Sequence, residues 1–188
     1  NFVIAREMAA ALFRHEGIDT GPLDSMQWTE AALALAYTPY EVWLSLEEMK
    51  RRFAQPPFTS ISGFGNLTSW MDILREGLLK RISKAEEKER LNELYLGALL
   101  RRPDDDRLRV NYANFLMAFG KREAALPLLE QAYNRNPTDV EAAISWFTLC
   151  MDTNRPAKAA QAMARIERIY PEHPNLPELR DRLRKAGK

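Results

Sequence analysis

Two histidines, one cysteine and a run of three aspartates are the residues of this chain best suited to chemistry. His15 lies between Arg14 and Glu16 at a predicted helix end, and His173 is flanked by Pro171 and Pro174, a setting that reads as surface. Cys150 could form a thiol–imidazole pair with either, but it falls on an apolar helical stripe and reads as a packing residue. Asp104, Asp105 and Asp106 follow Pro103. A metal would need further ligands that the sequence does not place nearby, whereas acids just ahead of a helix cap its free N–H groups and suit its dipole. The stretch Gly63-Phe64-Gly65-Asn66 has no preceding strand and no G-x-G-x-x-G spacing, so it reads as a flexible turn rather than a phosphate loop. No G-x-S-x-G elbow is present. The reading is therefore of a chain with no catalytic constellation, no cofactor and no metal centre.

Composition narrows the remaining classes. At 188 residues, with 46% apolar and 28% charged side chains, the chain can bury a real core. Its 27 Lys and Arg against 26 Asp and Glu give a net charge of +1 and no general attraction for nucleic acid. The basic strings at 50–52, 100–102 and 180–185 are interleaved with acids. The longest nearly apolar runs, "MAAALF" and "AALALAY", are far short of the roughly 20 residues that span a bilayer, so no membrane insertion is expected. One cysteine leaves the compartment open. The opening "NFVIAREMAA" is already in a helical pattern without an initiator Met and reads as a fragment of a longer protein.

These residues must be positioned by helices. Thr38, Pro39 and Glu41 form an N-cap, a first-turn proline and a capping-box acid. From there Val42, Trp43, Leu46, Met49 and Phe53 make one apolar stripe, which Pro56 and Pro57 end. Residues 2 to 15 carry a similar stripe that Gly17 stops, and Asp24 with Gln27 opens a short helix toward Tyr37. "FTSISGFGNLTS" reads as a surface loop. After it, Trp70, Ile73, Leu74, Leu78 and Ile82 predict a helix, and Leu91, Leu94, Tyr95, Ala98 and Leu99 another. Trp28, Trp43, Trp70 and Trp146 all fall on such stripes, where core packing is the usual role. No alternating strand pattern is found.

Prolines 103, 137 and 171 recur every 34 residues, after "LLRRP", "AYNRNP" and "IERIYP". A shift of 34 superposes Val110 on Ile144, Tyr112 on Trp146, Leu116 on Cys150, Met117 on Met151 and Ala125 on Ala159. The segment "NYANFLMAFGKREAALPLLEQAYNRNP" resembles the tetratricopeptide repeat family, with Ala113, Gly120, Ala125, Ala132 and Pro137 at its small, turn and closing positions. The resemblance implies an all-α fold of antiparallel helix pairs stacked into a short right-handed superhelix. Its expected bounds are a helical adaptor over 1–68 and repeats over 69–188: a degenerate unit at 69–105, units at 106–139 and 140–173, and a terminal capping helix at 175–188. The 140–173 unit departs from the pattern at Phe147, Asn154 and Ile166, but Thr138 and Glu141 offer it a capping box. The order "NFVIAREMA", "LAYTPYEVW", "RRFAQPPFT" and then repeats resembles the segment after the catalytic domain of some bacterial SGNH/GDSL-type hydrolases. Over residues 1 to 60 this implies an accessory role for an enzyme whose catalytic residues lie upstream of Asn1.

Family geometry further implies a binding face. The first helix of each pair lines the concave side, which would put Val110, Asn114, Met117, Ile144, Thr148 and Met151 against a protein or peptide partner or an upstream domain of the same chain. The lysine and asparagine clamp of chaperone-binding relatives is met only at Asn114, with Lys80 and Thr148 at the equivalent places, so recognition of a terminal carboxylate is not implied. The competing expectation is that the N-terminal helices fold over this face and fill it.

Overall fold

The computed structural model describes residues 31, 32, 35–60 and 64–186, together with Arg14. The stripe expected over 2–15, the short helix opened by Asp24, Trp28 and His15 lie essentially outside the described residues. Eight α-helices and one 3-10 turn follow from Pro39 onward, with no strand among the described residues. The fold is all-α.

Helix α1 spans Pro39–Phe53 and starts as its sequence dictates. The Thr38 hydroxyl oxygen accepts from the Tyr40 N–H at 3.2 Å, and the Glu41 carboxylate accepts from the Thr38 N–H at 3.2 Å. Tyr40 and Leu46 are buried; Val42, Trp43 and Phe53 are half-buried, and Met49 is exposed. After a 3-10 turn at Phe58–Ser60, helix α2 runs over Phe64–Ile82. The loop expected through residue 69 is thus shorter, and the turn expected at 63–66 is largely helix. A glycine costs a helix only about 1 kcal/mol, and once nucleated each further residue adds a backbone bond, so a long α2 absorbs Gly65, Thr68 and Ser69. The face of α2 also differs from expectation. Ile82 of the expected stripe is buried at 1% exposure, but so is Met71, which lies off it, at 2%, while Trp70, Ile73 and Leu74 of the stripe are exposed at 49%, 75% and 44%. Apolar residues occur on more than one side of this helix, so periodicity alone does not single out the buried side. Lys50–Asp72 at 2.5 Å and Arg75–Glu47 at 2.6 Å tie α1 to α2.

Helix α3 covers Ala85–Arg101 and buries Leu91, Tyr95 and Ala98. The chain divides into two compact units between Leu94 and Tyr95, inside α3. The adaptor boundary expected at 68/69 instead falls inside α2, which packs on α1. Leu79, one repeat length before the fully buried Ala113 and two before the fully buried Phe147, is 42% exposed.

The second unit continues with α4 (Asp106–Ala118), α5 (Arg122–Arg135), α6 (Val140–Asp152), α7 (Pro156–Ile169) and α8 (Leu176–Ala186). Helices α4 and α5 pack as one pair and α6 and α7 as the next. Helix α5 lies on α6 to join the pairs, and α8 lies on α7 and α6. Ala113, Ala125 and Ala132 are fully buried, as close helix approach requires, and so are Phe147, Ala159 and Ile166 in the following pair. Phe147 of α6 stands one repeat after Ala113 of α4, and Ala142 and Ala143, also buried, stand one repeat after Leu108 and Arg109.

The turns repeat in detail. The Asp105, Asp139 and His173 N–H groups donate to the Arg102, Asn136 and Tyr170 carbonyls at 3.2, 3.2 and 3.1 Å, one such turn around each repeat proline. Asp105 caps α4 by accepting from the Leu108 N–H at 2.8 Å. Asp139 caps α6, accepting from Glu141 and Ala142 at 2.9 and 3.0 Å, so the box expected from Thr138 is replaced by a cap one residue later. The Thr138 hydroxyl instead donates to the Asn136 side-chain oxygen at 3.0 Å.

Within each pair the chain reverses through a left-handed residue. Gly120 has φ 77°, and Asn154, one repeat later, has φ 54°. Their N–H groups donate to Met117 and Met151 carbonyls at 3.0 and 3.2 Å, and the next residues donate to Leu116 and Cys150 at 2.9 and 2.7 Å. Asparagine tolerates this conformation better than other non-glycine residues. A Cβ at Gly120 would meet nothing within 4 Å, so its substitution cost is conformational alone. Gly120→Ala is expected to lower stability by about 1–2 kcal/mol, and Asn154→Gly to leave it unchanged or slightly raise it. Paired urea melts check this, and equal losses in both variants would refute the shared turn geometry.

Candidate interaction surface

The residues expected to face a partner lie on α4 and α6, which pack against each other as first helices of consecutive pairs. Asn114, Met117, Ile144, Thr148 and Met151 are half-buried. Val110 is fully buried and has no surface to offer, although Ile144, one repeat later, does. The five accessible residues give an amide and a hydroxyl 34 residues apart, two thioethers 34 apart, and one isoleucine. Thioether side chains adapt their shape to what they touch.

Ion pairs close both ends of this lane. At the N-terminal end of the two helices, Arg107 of α4 pairs with Glu141 of α6 at the same repeat position. At the other end Asp152 receives Arg122 at 3.3 Å and Arg182 of α8 at 3.4 Å. The Arg182 guanidinium also lies 5.9 Å from the Phe147 ring centre. That contact brings α8 to the end of the lane, and no sequence pattern indicated it, because Arg182 reads only as one charge in a mixed string.

The side chains with chemical potential are committed elsewhere. Cys150 is fully buried, and burial pushes its thiol up to about 11, which keeps it protonated at neutral pH. Asp104 pairs with Arg135 at 2.9 Å, Asp105 with Arg102 at 2.6 Å and Asp106 with Arg109 at 2.5 Å. Among the described residues no group of three or more His, Cys, Asp or Glu side chains could hold a metal. No helix among them is long and apolar enough to cross a membrane. Trp146 is buried, stacked 6.0 Å from Tyr133, with the Lys158 ammonium 5.4 Å from its ring. Trp43 is half-buried beside Tyr40, and Trp70 is the exposed exception to the expected core role. The basic strings are largely paired: Lys50 with Asp72, Arg51 and Arg52 with Glu48, Arg180 with Glu167, and Arg184 with Asp181.

Comparison with known families matches residues 116–183 to a model described as tetratricopeptide repeat. No curated protein and no solved structure matches the chain. The matched residues begin near the end of α4, contain α5, α6 and α7, and reach into α8, the same elements that carry the 34-residue turns and the buried small positions. Over residues 116–183 the chain is therefore similar to the tetratricopeptide repeat family.

Proposed function

We propose that the chain is a non-catalytic helical-repeat scaffold that holds a protein segment along α4 and α6. The observation that carries this reading is the lane itself. Asn114, Met117, Ile144, Thr148 and Met151 keep exposed surface on helices whose other apolar residues are almost all buried. An extended or amphipathic segment would place apolar side chains on the methionines and polar groups against Asn114 and Thr148. Where the chain serves as an accessory to an upstream enzyme, the same lane engages a segment of the same polypeptide.

Met117→Glu together with Met151→Glu tests the reading, because two charges at the centre of an apolar contact oppose its desolvation. Capture of a partner from native lysate is expected to fall by at least tenfold, while the urea midpoint stays close to that of the unaltered chain. Retained capture would remove the lane from consideration. Unfolding of the variant would assign the methionines to the core.

A further inference from the structure

Helix α2 presents two faces of opposite character. Met71 and Ile82 are buried, with Arg75 and Leu78 half-buried between them, and Arg75 reaches Glu47 of α1. On the other side Trp70, Ile73, Leu74 and Gly77 are all exposed. Their three- and four-residue steps put them on one stripe. Apolar side chains clustered in this way, rather than scattered, mark interaction surfaces. Gly77 continues the stripe as a gap, because a Cβ there would meet nothing within 4 Å. Glycine in the middle of a helix weakens it, and close approach by another surface is a use that offsets this cost.

We infer that this stripe is the contact through which two copies of the chain pair, α2 against α2 in antiparallel order, about a two-fold axis between Ile73 and Leu74. Read in reverse, the stripe is its own complement. About that axis Ile73 of one copy faces Leu74 of the other, and Trp70 faces Gly77, so the largest side chain of the stripe is set over its gap. A two-fold contact requires this self-complementarity, because the same patch serves on both sides and each pairing occurs twice.

Charge complements the pairing as well. Lys80 is exposed one turn beyond Gly77 and, among the described residues, forms no ion pair. With Trp70 of the other copy set over Gly77, the Lys80 ammonium reaches the face of that ring, whose π electrons attract a cation. Asp72 and Arg75 take no part, since Lys50 and Glu47 of α1 hold them at 2.5 and 2.6 Å, and Glu76 falls at the rim. A tryptophan seated in a pocket and ringed by lesser contacts is a common centre of binding energy in an interface.

Sedimentation equilibrium of the full chain from about 1 to 100 µM tests this, a range in which a specific dimer of even modest affinity is populated. The unaltered chain is expected to reach twice its monomer mass at the upper end. Gly77→Leu fills the gap with a side chain that has room in the single chain, and Ile73→Glu sets a charge beside the axis on each copy. Each is expected to raise the dissociation constant about tenfold or more. Gly77→Leu should keep the helical circular dichroism and the thermal midpoint of the unaltered chain at low concentration, which separates loss of pairing from loss of fold. Leu74→Cys, next to the axis, is expected to form a disulfide between copies on mild oxidation, whereas Leu79→Cys, exposed on the opposite side of α2, is not; the buried Cys150 is retained in both. A monomer at every concentration, a dimer whose constant neither variant changes, or a Leu79→Cys chain that links as readily as Leu74→Cys would overturn the inference.

Discussion

Phe147→Ala is expected to lower the free energy of unfolding by about 3–5 kcal/mol. The ring is fully buried in α6, at the repeat position where α4 carries Ala113. Helix α6 is packed on both sides, by α5 and α7, and α8 also rests on it, so neighbours cannot collapse into the space without breaking their own contacts. The lost transfer energy of the ring and the remaining cavity therefore add. The guanidinium of Arg182, 5.9 Å from the ring centre, loses its face as well. Urea denaturation should show a lower midpoint at unchanged slope. A loss below about 1.5 kcal/mol would mean that the pocket closes freely and that α6 is not tightly held. The reverse exchange, Ala113→Phe, is expected to cost about 1–3 kcal/mol by overpacking, because Ala113 is fully buried where paired helices meet.

The second large effect is expected at Asp106. Its carboxylate meets the Arg109 guanidinium at 2.5 Å, and the Arg109 side chain is only 7% exposed. Removing the acid leaves a nearly buried cation without its counter-charge, a change that typically costs about 3–5 kcal/mol. Arg135, 3.6 Å from the same carboxylate, loses a weaker contact at 39% exposure, where screening by water makes the loss small. Asp106→Ala should thus destabilise strongly. Arg109→Leu removes the charge together with its need for a partner and should cost much less, and combining the two should recover most of the loss seen in Asp106→Ala. A double-mutant cycle measures this. Additive losses would show that Arg109 reaches water once its partner is gone.

Legibility from sequence followed the range of the forces concerned. The start of α1 could be read because Thr38, Pro39 and Glu41 act within one turn. Gly120 could be read as a reversal for the same reason, and the substitution at Asn154 kept the geometry because asparagine also accepts positive φ. Thr138 was misassigned because two good caps stand side by side and only the path of the chain chooses Asp139. The buried side of α2 was read correctly at Ile82 and misread at its start, because Trp70, Ile73 and Leu74 are as apolar as Met71, and which of them is covered depends on where α1 lies. Val110 was placed in the lane by the geometry that the family resemblance implies, yet it is fully buried while Ile144, one repeat later, keeps surface.

The sequence by itself determined the helical class, the 34-residue spacing of turns and the small residues at which paired helices meet. These rest on backbone conformations and on contacts between neighbouring elements, whose identity is local. The tertiary structure decided which apolar stripe of α2 is buried, which first-helix residues retain surface, and that Arg182 of α8 lies over Phe147 at the end of the lane. Those outcomes depend on side chains brought together from distant parts of the chain, and burial is set by what arrives opposite a residue as much as by the residue itself.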